Sequence, residues 1–337
     1  MFIQKLYQRL SPKMGQYGNF MLPLTFNKFK TKEVVTKTRQ PGFATIFDAS
    51  HMGIFETERK DLIEKLFLVN LEKYNNKSKL SAILSKENHI IDDLIIGDVD
   101  KSKYRLVVNA ANKDYFRDIE DFHEKDKMII AIQGDYSQKL VEDVFSTDLS
   151  CLYFMENKTI QKDVIEICRC GYTGEDGFEL YLNLSEGKEI VEKLVDISMD
   201  RDNVLFGGLI ERDLLRLESG LCLSGTDFGG DLGVDFKALN MNFMVDLKYR
   251  KQYNFTSDYT RVGFTDTKPM RPGPILSRDD SEIGFITSAN KSFNLNKFIG
   301  MGYLKKELLN LSLDKQLKGN MELVSLPFVE QKYYKKI

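Results

Sequence analysis

Apolar and polar residues alternate along this chain with two different periods, and each period predicts its own type of element. Residues 61–74 carry apolar side chains such as Leu62, Leu66 and Phe67 at the spacing of an amphipathic helix, with lysines and glutamates between them. The same spacing predicts further helices over residues 137–145, 188–197 and 208–220. Gly220 is placed as the C-terminal cap of the last of these helices.

Other stretches have the composition and period of strands. Residues 103–110 and 128–132 predict strands, and residues 162–184 hold two apolar runs around Gly-Glu-Asp-Gly, which predicts a hairpin with a tight turn. After residue 251 short strands are interrupted by prolines, which predicts a separate β-rich module. Helices and strands mix without a regular βαβ repeat, so the sequence predicts the α+β class.

Length and composition narrow the class of protein without identifying it. A chain of 337 residues exceeds the usual size of a single core, so two or three domains are expected. The net charge of −2 gives no electrostatic reason to bind nucleic acid. No apolar run approaches the length of a membrane span, so no membrane partner is expected. The four cysteines lack metal-ligand spacing, which favours free thiols and predicts no metal site.

Two neighbouring carboxylates, Asp92 and Asp93, lie inside an apolar run. In an extended segment adjacent side chains face opposite sides, so one of the two must face an interior or a cleft. A buried carboxylate is costly unless it is paired or hydrogen-bonded, which makes it a candidate for chemistry. The residues alone also allow a turn or capping pair at a strand start, and they favour that second interpretation.

Three further residues carry groups that suit ligand binding, although each has a structural explanation. Tyr172 and Glu179 flank the predicted turn, which requires neither a phenol nor a carboxylate. Strand alternation alone places Glu179 outward, and Tyr172 can equally fill a core. Asn109 ends an apolar strand, where asparagine commonly forms a turn. The residues by themselves leave these alternatives open.

Arg212 begins the predicted helix over residues 208–220. Charged residues on helices usually form surface ion pairs, and Arg212 has three acids within reach along the helix. Arg216, one turn further on, is expected to be structural. The acids that could pair with Arg212 are Glu211, Asp213 and Glu218.

His51 follows Asp48 and Ser50, and these residue types invite comparison with a catalytic triad. Triads are assembled in space from separate parts of a chain, so we expect a structural, hydrogen-bonded histidine instead. His89 and His123 are expected at the surface. The sequence contains no glycine-rich phosphate loop, so nucleotide binding has no support.

Several phrases of the sequence occur in the order found in one known family. They resemble motifs of the glycine cleavage system T-protein family, the aminomethyltransferases, and span about residues 5–334. Asn88-His89 replaces a Gly-Gly pair and Ala289 replaces a glycine of the family pattern, which marks a divergent member. The phrases are FDASHMG at 47–53, IDDLI at 91–95, CGYTGEDGFEL at 170–180, RDLLRLESGL at 212–221 and PFV at 327–329.

The resemblance implies a fold as well as a family. It implies a three-domain cloverleaf of the T-protein type, with a central folate cavity and a C-terminal β-barrel-like domain. Residues 1–52 and 126–250 are expected to form a discontinuous first folate-binding lobe. Residues 53–125 are expected to form an inserted second lobe, and residues 251–337 the β-rich C-terminal domain.

The resemblance also implies an activity. The family moves the aminomethyl carbon from the S-aminomethyl-dihydrolipoyl arm of H-protein to tetrahydrofolate, giving 5,10-methylene-tetrahydrofolate and ammonia. It reverses the preference at the aspartate pair and assigns the catalytic role to Asp93. It assigns contacts with tetrahydrofolate to Glu179, Arg212, Tyr172, Asn109 and Tyr333.

Partners and location follow from the same resemblance. Lipoylated H-protein is expected to dock transiently on a monomeric protein, with tetrahydrofolate and the lipoyl group as the reacting molecules. Lys5, Arg9 and Lys13 precede Glu33, the first acid, and such a basic start fits a mitochondrial transit segment. Leu6-Tyr7 and Lys13-Met14 also resemble the start of the mature family domain, so the residues leave the question of a transit segment open. The resemblance implies the mitochondrial matrix, or the cytoplasm if the protein is bacterial.

Three alternative functions deserve comparison with this interpretation. An inactive or weakly active T-protein-like folate-binding protein fits the lost glycines. A folate-fold iron–sulfur assembly factor would carry a K-G-C-Y-x-G-Q-E motif, whereas residues 170–175 read CGYTGE. The folate-binding half of a dimethylglycine or sarcosine dehydrogenase would need an N-terminal flavin domain, for which this chain is too short.

Overall fold

The protein is described by a computed structural model that covers residues 5–99, 102–162, 164–229, 232–250, 257–309, 317 and 320–335. The strands within these residues are β1 (Pro12–Tyr17), β2 (Phe20–Phe26), β3 (Ala44–Asp48), β4 (Gly53–Thr57), β5 (Ser78–Leu84), β6 (Ile90–Asp98), β7 (Tyr104–Val108), β8 (His123–Glu124), β9 (Lys127–Gln133), β10 (Asn157–Gln161), β11 (Ile165–Cys168), β12 (Gly177–Asn183), β13 (Val204–Phe206), β14 (Tyr259–Asp266), β15 (Gly273–Leu276), β16 (Glu282–Ser292), β17 (Lys297–Lys305) and β18 (Glu322–Val324).

Helices cover or connect these strands. None of those in the described ranges combines the length and apolar character needed to span a membrane. They are α1 (Thr31–Thr38), α2 (Lys60–Phe67), α3 (Lys113–Arg117), α4 (Ser137–Phe145), α5 (Leu184–Asp200), α6 (Leu209–Glu218), α7 (Phe236–Leu239) and α8 (Leu247–Arg250).

The strands form separate sheets, which confirms the predicted α+β class. A six-stranded sheet has the order β10-β11-β12-β9-β3-β13, and a five-stranded sheet has the order β5-β6-β7-β4-β8. A second five-stranded sheet, β15-β16-β17-β14-β18, is formed by the C-terminal part of the chain, and β1 and β2 form a hairpin. Pairing is antiparallel except between β3 and β13. The strands β4 to β8 lie in sequence between β3 and β9, so one sheet interrupts the other.

The predicted lobe boundaries stay a prediction. The strands of the six-stranded sheet come from residues 44–48 and 127–206, on both sides of the strands β4 to β8. The predicted boundary between residues 250 and 251 falls at the edge of a segment, 251–256, that lies outside the described residues.

The strand β9 connects two hydrophobic cores because it is buried along its whole length. Ile130 packs with Phe178 in the core that also includes side chains of α4 and α5. Ile129, on the opposite face of the strand, packs with Ile54 and Val107 of the neighbouring sheet. Burial of each such side chain contributes roughly 1.5–3 kcal/mol relative to exposure. This two-sided packing places the six-stranded sheet against the sheet that contains β6.

Several predicted elements are confirmed where local periodicity was strong. The helix α4 has the predicted bounds, the helix predicted over 188–197 lies inside α5, and β9 contains the strand predicted over 128–132. Gly220, with φ of 63°, follows α6 in the left-handed region, as a C-terminal cap requires. His89 and His123 are exposed as expected.

The helix predicted over residues 61–74 is wrong in its second half. The helix α2 ends at Phe67, because Leu68 adopts a left-handed conformation with φ of 53°. A short 3₁₀ turn follows, in which the Asn70 side chain accepts from the backbone amide of Glu72. The backbone amide of Asn70 donates to Asp246 Oδ2 at 2.6 Å. This contact with a distant segment stops a helix that the local pattern would continue.

Candidate active site

A cavity of about 980 Å³ opens between the sheets, and all six predicted site residues lie on its wall. A volume of this size is at the upper end of the range for small-molecule sites. The six residues come from separate elements of the chain, so the fold brings together side chains that are far apart in sequence. They are Asp93, Asn109, Tyr172, Glu179, Arg212 and Tyr333.

The aspartate pair lies inside β6 and not at its start, so the interpretation as a turn or cap is wrong. Asp92 and Asp93 pair with Ile83 and Ala82 of β5 in an antiparallel ladder, next to a register shift between Ile83 and Leu84. Asp92 is completely buried, whereas Asp93 lines the cavity. The two neighbouring carboxyl groups of this interior strand therefore have different surroundings, one enclosed and one at the cavity.

One side-chain amide bridges the two carboxyl groups. Asn109, which follows β7, donates from Nδ2 to Asp92 Oδ1 at 2.8 Å and to Asp93 Oδ1 at 2.7 Å. An amide has two N–H groups, so each carboxyl group receives one of them. Asn109 is thus not a simple strand-end turn. With its nitrogen engaged, its carbonyl oxygen is the group that remains to accept a hydrogen bond at the cavity wall.

The environment of Asp93 favours its protonated form. Burial and, to a smaller extent, the neighbouring Asp92 carboxylate raise the pKa of Asp93 to about 7, although the hydrogen bond from Asn109 opposes both. A carboxyl group with a pKa near neutrality can both accept and release a proton at physiological pH. Such shifted groups in cavities are candidates for acid–base chemistry.

The tight turn predicted around Gly174 and Gly177 is wrong, because an eight-residue loop over 169–176 separates β11 from β12. Arg169 holds this loop: its Nε donates to Asp176 Oδ1 at 2.9 Å and its Nη1 to the Leu152 carbonyl at 2.8 Å. A rule that predicts turns from a few neighbouring residues does not take account of these contacts of Arg169.

Gly171 lets the same loop pass close to β9. A Cβ atom on this residue would lie 1.8 Å from Gln133 Oε1. Gln133 fixes the loop on both sides, since its Nε2 donates to the Cys170 carbonyl at 3.0 Å and its Oε1 accepts from Thr173 Oγ1 at 2.9 Å. The side chain of Tyr172 lies between these anchor points, on the cavity wall.

Tyr172 and Arg212 form a stacked pair on that wall. The Arg212 guanidinium lies 4.7 Å from the centroid of the Tyr172 ring, and the Tyr172 hydroxyl donates to the Cys222 carbonyl at 2.5 Å. Burial raises the pKa of the Tyr172 phenol, so it stays protonated. The pair holds a planar cation at the cavity, and its side-chain donors have no hydrogen-bond acceptor among the residues that the structure describes.

The predicted surface ion pair of Arg212 is wrong, because its three candidate partners are engaged elsewhere. In the described part of the chain no carboxylate pairs with Arg212. Glu211 accepts from Thr31 Oγ1 at 2.6 Å, and Asp213 pairs with Arg216 at 2.8 Å. Glu218 pairs with Arg39 at 2.8 Å.

Glu179 faces inward, so the outward position predicted from alternation is wrong. Its residue is 6% exposed, and all residues of β12 up to Leu182 are buried, because both faces of this strand are covered. The Tyr181 hydroxyl donates to Glu179 Oε2 at 2.8 Å, and the Arg105 guanidinium covers the Tyr181 ring at 3.7 Å. Glu179 is therefore a buried carboxylate held in a fixed orientation at the cavity.

Tyr333 reaches the cavity because the C-terminal segment is attached to the 169–176 loop. The backbone amide of Lys332 donates to the Gly174 carbonyl at 2.7 Å. The Tyr333 ring then stacks on Phe154, with centroids 4.3 Å apart. Burial raises the pKa of Tyr333 to about 12. The two rings form a flat apolar surface on one side of the cavity.

His51 lines the cavity but is not the hydrogen-bonded histidine that the sequence predicted. Its Nδ1 is buried and has no partner among the described residues. The ring packs edge-on against Tyr17, with centroids 5.8 Å apart. Burial lowers the pKa of His51 to about 3, with smaller contributions from the charges of Arg212 and Lys113. His51 is therefore neutral at physiological pH and too weak a base to take up a proton there.

Sequence reasoning missed two residues that complete the site. Asn112 donates from Nδ2 to Asp92 Oδ2 at 2.5 Å, and Ser224 donates from its hydroxyl to Asp92 Oδ1. The three-residue spacing of Asn109 and Asn112 is a signal that could have identified Asn112. No signal in the sequence points to Ser224, which is 132 residues from Asp92.

Family comparisons cover nearly the whole chain. Residues 3–249 match the family described as GCVT N-terminal domain. Residues 260–330 match the family described as glycine cleavage T-protein C-terminal barrel domain. The two matches follow each other in the order in which the sheets occur along the chain.

Individual relatives agree with these families. Proteins described as aminomethyltransferase from Geobacillus sp. (strain WCH70) and Staphylococcus carnosus (strain TM300) are 27% and 31% identical to this chain. The first comparison covers 98% of this chain and 97% of the relative, and the second covers 90% of each. The crystal structure of glycine cleavage system aminomethyltransferase T from Bartonella henselae has a TM-score of 0.88 at 26% identity and covers 99% of both chains. The chain belongs to the glycine cleavage T-protein family.

Proposed function

We propose that this protein transfers the aminomethyl carbon from an S-aminomethyl-dihydrolipoyl arm to tetrahydrofolate, giving 5,10-methylene-tetrahydrofolate, ammonia and the dihydrolipoyl thiol. The observation that carries the proposal is the convergence of Asp93 from β6 and Glu179 from β12 on one cavity. The relatives described as aminomethyltransferases support the same activity.

Glu179 suits the recognition of the pterin ring. The aminopyrimidine edge of a pterin presents adjacent N–H donors, and a carboxylate can accept two of them at once. Tyr181 holds Oε2 of Glu179, and Oε1 is left to receive a ligand donor. The carbonyl oxygen of Asn109 can accept a further hydrogen bond from the same ring system.

The remaining cavity residues suit the rest of the folate molecule. Tyr172 and the stacked rings of Phe154 and Tyr333 offer flat apolar surfaces. Arg212, which has no carboxylate partner within the described residues, offers a planar set of donors to oxygen or ring acceptors of the ligand. Together these groups fit a long, partly aromatic and partly anionic molecule.

Asp93 suits the chemical step. The two folate nitrogens each lose a proton and form a bond to the arriving carbon, while its bonds to nitrogen and sulfur break and release ammonia and the thiol. A carboxylate beside the nitrogens can orient them, accept a proton and stabilise the cationic carbon. With its pKa raised to about 7, Asp93 can also return that proton to a leaving group.

The arm is proposed to arrive on lipoylated H-protein, which docks transiently on a monomer because the arm must enter and leave. The mitochondrial location stays a prediction, since the relatives named above are bacterial. A test of the whole proposal is a coupled assay with lipoylated H-protein and tetrahydrofolate. Formation of methylene-tetrahydrofolate supports it, whereas the absence of product would favour an inactive family member.

The activity is expected to fall as the pH drops through about 7. The ionised form of Asp93 is the proton acceptor, and burial raises its pKa to about 7 in the free protein. Below this pH the carboxyl group is protonated, so kcat/KM for tetrahydrofolate should decrease about tenfold per pH unit. Initial rates measured between pH 5 and 9 show this decrease of kcat/KM at acidic pH. A flat profile between pH 6 and 8 would contradict the assignment.

Glu179→Gln is expected to weaken tetrahydrofolate binding by about 10- to 100-fold, because the amide replaces one acceptor oxygen by a donor. The change should raise KM more than it lowers kcat, since Glu179 contacts the ring and not the reacting nitrogens. Calorimetric titration with tetrahydrofolate measures the effect. Glu189→Gln, an exposed acid of α5, is the matched control. If both variants bind tetrahydrofolate with equal affinity, Glu179 does not contact this ligand.

A further inference from the structure

Asp92 is an enclosed carboxylate that the proposed reaction leaves without a role. It is 0% exposed, and every hydrogen-bond partner it has among the described residues is a donor. Oδ1 accepts from the backbone amide of Asp93 at 2.9 Å, from Asn109 Nδ2 at 2.8 Å and from the Ser224 hydroxyl. Oδ2 accepts from Asn112 Nδ2 at 2.5 Å.

This set of partners fixes which member of the pair carries the negative charge. A protonated carboxyl group needs an acceptor for its own hydrogen, whereas all four partners of Asp92 donate to it in the structure, so protonation there would require Asn112 or Ser224 to turn. Asp93 differs, since in the described part of the structure its Oδ1 accepts from Asn109 and its Oδ2 accepts from no side chain. A proton taken up by the pair is therefore accommodated on Asp93 and not on Asp92.

Asp92 also attaches a distant loop to the cavity wall. The loop over 221–229 lies against β6, where a Cβ atom on Gly229 would come within 2.6 Å of the Ile91 carbonyl. Ser224 of this loop donates to Asp92, and the Cys222 carbonyl accepts from the Tyr172 hydroxyl. One buried carboxylate thus connects β6, the segment after β7 and the loop that positions Tyr172.

We propose that Asp92 is a positioning residue for the reaction: as the ionised member of the pair, it holds Asn109 and the 221–229 loop in place and directs proton uptake to Asp93. This inference rests on the proposed role of Asp93. Among the described residues, Asp92 acts electrostatically on Asp93, and Asp93 in turn acts on the Tyr172 phenol and the Cys222 thiol. Burial raises the pKa of both the phenol and the thiol, so Asp92 is the charged group among them.

The test is a titration of aspartate side-chain carboxyl carbons by NMR, on the full chain labelled with carbon-13 and assigned through the backbone. In the unmodified protein the Asp93 carbon should titrate near pH 7 and should show the larger change of the two carboxyl carbons there. If the Asp92 carbon instead shows the larger change near pH 7, the proposal is overturned. This readout needs neither substrate nor activity.

Asp92→Asn provides the second arm. Its Oδ1 can keep the donors at Asn109 and Ser224, and Asn112 can turn its amide to accept, so the change removes charge with little loss of hydrogen bonding. The titration of Asp93 and the acid limb of kcat/KM should both move about one unit to lower pH, because a like charge is gone. Ser224→Ala removes one hydrogen bond but no charge and should leave the midpoint unmoved.

The outcomes separate the inference from the proposed function. An unmoved Asp93 midpoint in Asp92→Asn overturns the role of Asp92, whatever the activity. An inactive unmodified protein overturns the proposed function, while the NMR titration still decides which carboxyl group holds the proton. Should Asp92→Asn fail to fold, the titration of the unmodified protein alone decides the question.

Discussion

Asp93→Asn is expected to lower the turnover of tetrahydrofolate-dependent aminomethyl transfer by about 10²- to 10⁴-fold, the usual range for loss of a positioned proton-transfer group. The amide cannot accept the proton released by the folate nitrogen, and it cannot stabilise a cationic carbon as a carboxylate does. In the unmodified protein Asn109 donates to Asp93 Oδ1 at 2.7 Å, and Oδ1 of the new asparagine can still accept this hydrogen bond. The fold should therefore survive, and the loss should appear in kcat.

The coupled assay with lipoylated H-protein measures this effect, and chemical denaturation checks the fold. Asp61→Asn, an exposed acid of α2, is the matched control and should retain full turnover. Calorimetry should show that Asp93→Asn still binds tetrahydrofolate within about tenfold, because the other ring contacts remain. If Asp93→Asn keeps near-full turnover, the catalytic role proposed for Asp93 is wrong.

Arg216→Met is expected to lower the free energy of unfolding by about 3–5 kcal/mol, the range measured when one partner of a buried ion pair is removed. Arg216 Nη1 pairs with Asp227 Oδ2 at 2.6 Å, and the two side chains are 3% and 0% exposed. Methionine keeps most of the side-chain volume, so the decrease in the free energy of unfolding reflects the uncompensated charge of Asp227. Urea denaturation measures this free energy.

A double variant and a neighbouring arginine provide the controls. Adding Asp227→Asn to Arg216→Met should recover part of the lost stability, since the unpaired charge is removed. Arg212→Ala, one turn earlier on α6, should cost about 1 kcal/mol or less because its contact is a stacking one with Tyr172. Arg212→Ala should instead weaken tetrahydrofolate binding. Equal stability losses for both arginines would contradict the separation of a structural and a ligand-binding role.

The sequence predicted the elements whose pattern is set locally. The helix α4 and the strand β9 have clear helical and buried-strand patterns, and their predicted positions are confirmed. The helix α2 was predicted too long because the contact that ends it comes from Asp246, which is far away in the chain. Local periodicity contains no information about such a contact.

The site residues also divide into those that the sequence predicted and those whose position depends on distant contacts. Motif resemblance identified six residues that the structure places on one cavity, although residue patterns alone favoured an outward Glu179 and a surface ion pair for Arg212. Both of these expectations depend on which faces are covered, and only the packing of one sheet on another decides that. The roles of Asn112 and Ser224 were missed because they act through Asp92, across sequence separations that no local pattern reveals.

A crystal structure of the protein with bound tetrahydrofolate would show whether Asp93 and Glu179 hold a reduced pterin between them. We expect the aminopyrimidine edge within hydrogen-bond distance of Glu179, and the reacting nitrogens next to the Asp93 carboxyl group. A ligand bound outside this cavity, or a pterin ring that touches neither carboxyl group, would contradict the account.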